Sequence, residues 1–227
     1  MLNIEKKQEC RRTKLDVNGK GEKMRRILVA GMWLFLMVGF AFAGESENTF
    51  RSVSVGFEIT KPESWQFLTA EQNLENLKRT KLSDEEFHQL MLKYATAPLI
   101  AMMKYPEPFD DLNPSLKVNV KPFGQLKDID PKQILSMVSG HFATIFKDYE
   151  LVEGPIDTEV SGIKSGYMRF NYTLQIPDGR AFPTTSELWI VPRGDYFFMI
   201  GAGTREDEKT GTRKEIQEIL KTVKIDR

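Results

Sequence analysis

The sequence predicts an α+β fold: an antiparallel sheet of about six or seven strands with helices on both faces. Three observations predict it. Apolar and polar residues alternate with a period of two in several short segments. Turn signals such as Asp178-Gly179 and Gly194 separate successive strands, and connections that short join only antiparallel neighbours. Between and after the strands lie stretches with helical periodicity and helix-start signals.

The elements follow in order. Val53, Val55, Phe57 and Ile59 alternate with Ser52, Ser54, Glu58 and Thr60, which predicts a first strand ended by Lys61-Pro62. Trp65-Gln66-Phe67 predicts a short second strand or turn. Residues 70–95 read as helical: Ser83 and Glu86 form a capping box, and Phe87, Leu90, Met91 and Tyr94 fall on one stripe. The apolar run Pro98–Met103 predicts a buried strand. Lys104 to Ser115 is a loop by its three prolines. Leu116, Val118 and Val120, alternating with Lys117, Asn119 and Lys121, predict a half-buried strand. Asp130 caps a helix that Pro131 opens, with Ile134, Val138, His141, Ile145 and Tyr149 tracing its apolar face. Met168–Ile176, 181–191 and Tyr196–Ile200 form a meander, the last apolar throughout and therefore central. A capping box at Thr212 and Glu215 starts a closing helix striped by Ile216, Ile219, Leu220 and Val223.

The N-terminal region carries an address. Met24-Arg25-Arg26 precedes the apolar run Ile27–Ala43, which ends in Ala41-Phe42-Ala43 before Gly44-Glu45 turns polar. Basic end, apolar stretch and small-residue cleavage site are the order of a secretory signal peptide. Residues 1–23 are read as an extension upstream of the true start, 24–43 as the signal peptide and 44–227 as a single domain. The alternative is an uncleaved membrane anchor. Lys+Arg and Asp+Glu are equal at 32 each, but residues 1–43 hold nine basic and four acidic side chains. The remainder is mildly acidic, which argues against nucleic acid as a partner. The expected location is periplasmic or secreted.

Gly56-Phe57-Glu58-Ile59, followed by Pro62 and Trp65, resembles the opening strand of the PsbP-like superfamily. That group takes in the extrinsic photosystem II subunit, MOG-type Ran-binding proteins and small bacterial envelope proteins. The resemblance spans about residues 50–225 and leaves 98–121 unmapped. It implies an antiparallel sheet sandwiched by helices, and a non-enzymatic binding or assembly module with no catalytic residues to carry over.

The chemistry the residues allow is narrow. The single cysteine, Cys10, lies before the signal segment, so the exported chain has no thiol for a disulfide, nucleophile or zinc site. Ser161-Gly162-Ile163-Lys164 and Lys209-Thr210-Gly211 mimic penicillin-binding enzyme motifs, but the first is read as a turn between strands. Gly201-Ala202-Gly203 reads as a flexible strand-to-helix turn without a full phosphate-binding pattern. His141 is expected on the buried stripe of its helix, and His88 in a surface pair with Asp84. Asn171-Tyr172-Thr173 forms a sequon placed mid-strand. Asp110-Asp111-Leu112-Asn113 offers oxygen ligands without calcium-loop spacing. No cofactor or metal is expected. The candidate partner-binding residues are Tyr105, Phe109, Asp110 and Asp111 on the proline-rich loop, unless Phe109 tucks back to make that loop structural. The function expected is an exported, non-catalytic envelope module binding a protein partner or a small ligand. The alternative is a small hydrolase using His141 or His88 as base.

Overall fold

The computed structural model describes residues 47–69, 71–73, 75, 98–176 and 178–226. Ten strands and two α-helices are named here: β1 (Thr49–Ser52), β2 (Phe57–Thr60), β3 (Gln66–Leu68), β4 (Ile100–Met103), β5 (Ser115–Pro122), α1 (Pro131–Ile145), β6 (Lys147–Val160), β7 (Ile163–Gln175), β8 (Ala181–Arg193), β9 (Tyr196–Arg205), α2 (Arg213–Lys221) and β10 (Lys224–Ile225). Seven strands pair in the order β3-β4-β5-β9-β8-β7-β6, and β1-β2-β10 make a small second sheet. All pairings among the described residues are antiparallel. Glu45–Arg227 makes up one compact unit.

β9 lies in the middle of the large sheet, as its apolar run predicts. Its residues alternate between two cores. Phe198, Ile200 and Ala202 join Leu116, Val118 and Trp189, together with Ile216 and Ile219 of α2. Phe197 and Met199 join Met168, Phe170 and Ile190, together with Ile134 and Leu135 of α1. Period-two alternation delivers successive side chains to opposite faces, so one strand feeds both cores.

The cap signals at Asp130 and Thr212 hold. The Asp130 carboxylate accepts from the Lys132 amide at 2.9 Å, and Pro131 occupies the first turn. Thr212 and Glu215 form the reciprocal box that opens α2. α1 sits directly on β7 at Gly166, where a Cβ would lie 2.9 Å from the Pro131 carbonyl carbon.

Several expectations are corrected. The first strand is a hairpin: Val53 is 81% exposed in a turn, and Gly56, at φ +56°, carries the chain from β1 into β2. Period-two alternation runs through the turn residues and masks it. α1 stops at Ile145, so Tyr149 belongs to β6 and not to the helix. The helix buries Ile134, Leu135 and Ser139, which turns His141 outward to solvent. Gly201-Ala202-Gly203 is no turn; it lies inside β9. β6 was not legible: Leu151-Val152 and Gly154-Pro155 break its alternation, and its register with β7 shifts three times. Of the helix expected over 70–95, residues 71–73 and 75 are helical; Ser83 to Tyr94 lie outside the described residues.

Candidate functional site

The loop between β4 and β5 closes on itself through Lys104 N–H to Pro114 O at 3.0 Å. Asn113 braces it from inside. Its Oδ1 accepts from the Tyr105 amide at 3.0 Å, and its Nδ2 donates to Tyr105 O at 2.8 Å and Glu107 Oε1 at 2.9 Å. Asn suits this task because its short amide carries both a donor and an acceptor. Glu107 Oε2 accepts from the Phe109 amide at 3.1 Å. The rings of Tyr105 and Phe109 then stack with centroids 4.5 Å apart.

The braced loop is fastened to the segment leading into α2. Tyr105 donates its hydroxyl to Thr210 O at 2.8 Å, and Thr210 Oγ1 donates to Leu112 O at 2.7 Å. Lys104 Nζ reaches both Glu215 oxygens, at 2.8 and 3.0 Å. Burial alone would depress the Lys104 ammonium, but Glu215 outweighs it and raises it above the ordinary lysine range. Arg205 clamps Asp111 at 2.6 Å and Asp207 at 2.7 and 2.8 Å. That hydrogen bonding holds the Asp207 carboxyl well below the usual range. Arg180 donates to Asp110 O at 2.8 Å.

The structure therefore divides the four residues proposed from sequence. Tyr105 and Asp111 are half-buried and engaged in the framework. Phe109 is half-buried against Tyr105, and Asp110 is exposed. Pro106, Glu107 and Pro108 form the exposed tip.

Behind α2 lies a buried polar cluster that sequence reading missed. Glu187 on β8 is 3% exposed. Its Oε1 accepts from the Tyr167 hydroxyl at 2.7 Å, Gln217 Nε2 at 2.8 Å and Arg213 Nη2 at 3.0 Å. Burial first, then the bond to Glu187, pushes the Tyr167 phenol above its ordinary range. Arg169 stands cross-strand from Glu187 and pairs with Glu153 at 3.3 Å. The signal was present: Glu187 alternates with Trp189 and Val191 on what is otherwise an apolar face.

The remaining motifs are absorbed by structure. Ser161 lies in a turn at φ +55° and its hydroxyl accepts from the Ile225 amide at 2.9 Å. Lys164 pairs with Asp130 and Asp157, each at 3.6 Å, and Lys209 with Asp207 at 3.2 Å. Asn171 donates to Glu206 at 3.0 Å and accepts from Thr185 at 2.8 Å. His88 lies outside the described residues. Among the described residues, no three His, Cys, Asp or Glu side chains gather as a metal site, and no helix is long and apolar enough to cross a membrane.

No protein-family model and no curated protein sequence matches the chain. Solved structures do. LpqN, involved in cell envelope biogenesis of Mycobacterium tuberculosis, is similar at 12% identity and a TM-score of 0.46, over 81% of this chain and 87% of its own. Cyanobacterial PsbP from Synechocystis sp. is similar at 11% identity and a TM-score of 0.45, over 78% of this chain and 91% of its own.

Proposed function

We propose that this protein is an exported, non-catalytic module of the cell envelope that docks a protein partner through the loop spanning residues 104–114. In this reading the large sheet is sandwiched by α1 on one face and α2 on the other. The loop stands at the sheet end beside the start of α2.

One observation carries the reading: the loop is preorganised without being buried. Asn113 and Thr210 fix its backbone and Glu215 and Arg205 hold its Lys104 and Asp111 side chains, while Pro106, Glu107, Pro108 and Asp110 stay exposed beside the Tyr105–Phe109 stack. A fixed loop presenting prolines and an aromatic loses little conformational entropy on association. Catalysis would need an activated nucleophile or base, and the polar groups assembled here are engaged as framework.

Site-specific photo-cross-linking tests it. A photoreactive residue at position 108, introduced into the protein in its own host, should capture one discrete envelope partner, and Phe109→Ala with Asp110→Ala should abolish that adduct. Equal capture by a probe at surface position 137 on α1 would refute the loop as the docking element. Mass spectrometry of the isolated protein should show an N-terminus at Gly44; an intact Met24 or Met1 would refute cleavage.

A further inference from the structure

β6 closes one side of the seven-stranded sheet and pairs only with β7. Among the described residues, the backbone of 147–160 bonds to no other segment, so one row of its amides and carbonyls stays open. Apolar side chains also meet water on this strand. Of the five large apolar side chains that are exposed among the described residues, three stand on it: Leu151, Val152 and Ile156, at 40, 41 and 42%. The same strand holds five carboxylates and one lysine. Glu153 is countered by Arg169, and Asp157 by Lys132 and Lys164. Among the described residues no cation pairs with Asp148, Glu150 or Glu159.

The three register shifts all fall between Lys147 and Ile156, and Ile156–Val160 then pairs residue for residue with Ile163–Tyr167. The two faces of that regular stretch differ. Asp157 and Glu159 stand opposite Gly166 and Lys164, on the face where Gly166 meets α1. Ile156 and Thr158 stand opposite Tyr167 and Ser165, on the face of the core that contains α2's apolar residues. An edge that only repelled other strands would carry charge on both faces. This one carries carboxylates on one face and an open isoleucine on the other. A second copy of β6 fits it poorly, because that strand would bring five more carboxylates to the same edge.

We infer that β6 is a docking edge for an extended segment of a partner protein in which basic and apolar residues alternate. The segment adds as a strand along Ile156–Val160, with its Lys or Arg side chains beside Asp157 and Glu159 and its apolar side chains beside Ile156. The edge lies beyond β9 from the loop of residues 104–114, and the inference does not rest on that loop's role. A short fluorescein-labelled peptide of alternating valine and lysine tests it by anisotropy on the isolated protein. It should bind about tenfold tighter than its valine–glutamate counterpart, and Glu159→Lys, at an exposed position, should weaken it about tenfold with an unchanged circular-dichroism spectrum. A copy N-methylated at every amide keeps side chains and charge but donates no hydrogen bond, and should not bind. Bound peptide should slow hydrogen exchange of the outward amides within 156–160. Absent binding, equal binding of the two sequences, equal binding of the N-methylated copy or by Glu159→Lys, or unchanged exchange over 156–160 would each overturn the assignment. So would a dimer through β6 that the peptide does not dissociate. Partner cross-linking at position 108 stays intact in Glu159→Lys, so failure of either reading is distinguishable from failure of the other.

Discussion

Replacing Glu187 by alanine removes a single oxygen that serves three donors. The cost divides unequally among them. Gln217 is half-buried on α2 and Arg213 is a third exposed, so both can turn to water. The Tyr167 hydroxyl is buried beneath them and is left without an acceptor, a loss of about 1–3 kcal/mol. The charge-assisted bond to Arg213 adds about 1 kcal/mol after discounting for solvent. The expected destabilisation is therefore about 3 kcal/mol, read in urea as a midpoint lower by about 1–2 M at unchanged slope. Tyr167→Phe removes the hydroxyl that Glu187→Ala would strand. The double variant should accordingly be less destabilised than the sum of the singles by about 1 kcal/mol. A loss below about 1 kcal/mol for Glu187→Ala, or strict additivity with Tyr167→Phe, would show that the cluster does not hold α2 against the sheet.

Four further outcomes are expected. Thr212→Ala should cost about 1 kcal/mol of unfolding free energy and Thr212→Asp much less, because the side-chain oxygen caps the Glu215 amide. Gly166→Ala should cost about 1–3 kcal/mol in the same assay, because its Cβ would force α1 off β7 at Pro131. Asp207 has a depressed folded-state pKa, so its stabilisation is present above its unfolded value and lost as pH falls through the folded one. Arg205→Ala should thus lower stability at neutral pH, with the deficit shrinking in acid, as acid-titrated thermal melts would show. Lys117 has the opposite charge and also a depressed folded-state pKa, so the unfolded chain binds the extra proton and native stability rises as pH approaches the ordinary lysine range. Lys117→Met should melt higher than the native protein at neutral pH, by a margin that closes toward about pH 10.

The sheet was legible wherever one face of a strand is apolar and the other polar. β5 and β7 show that contrast, β9 is legible instead as a run apolar on both faces, and the Asp178-Gly179 and Gly194 turns fix which strands are neighbours. Helix starts were legible because caps are local: Asp130 and Thr212 depend on residues two or three positions away. Helix ends were harder. Ile145 and Tyr149 continue the periodicity of α1, yet Phe146 adopts an extended backbone because Phe146 and Tyr149 pack on Phe170 and Tyr172 of β7. That preference is tertiary, and nothing adjacent in the chain announces it.

The functional residues were legible in proportion to how locally they act. The loop of residues 104–114 was singled out by its own composition, and its internal brace, Asn113 to Tyr105 and Glu107, is also local. The groups that fasten it, Arg205, Thr210 and Glu215, lie about a hundred residues away and gain meaning only once β9 and α2 are in place. The setting of Lys117 was hidden for a related reason. Alternation assigns Lys117, Asn119 and Lys121 to a solvent face, and that inference holds only for a strand with one wet side. Lys117 stands half-buried, beside glycines that lie inside β9 and not in a turn. Two separate misreadings of the sequence thus meet at one place on the sheet. Pattern rules read each position from its sequence neighbours, whereas the register of β5 and β9, which sets Lys117 opposite Gly201 and Ser115 opposite Gly203, is fixed by the sheet as a whole.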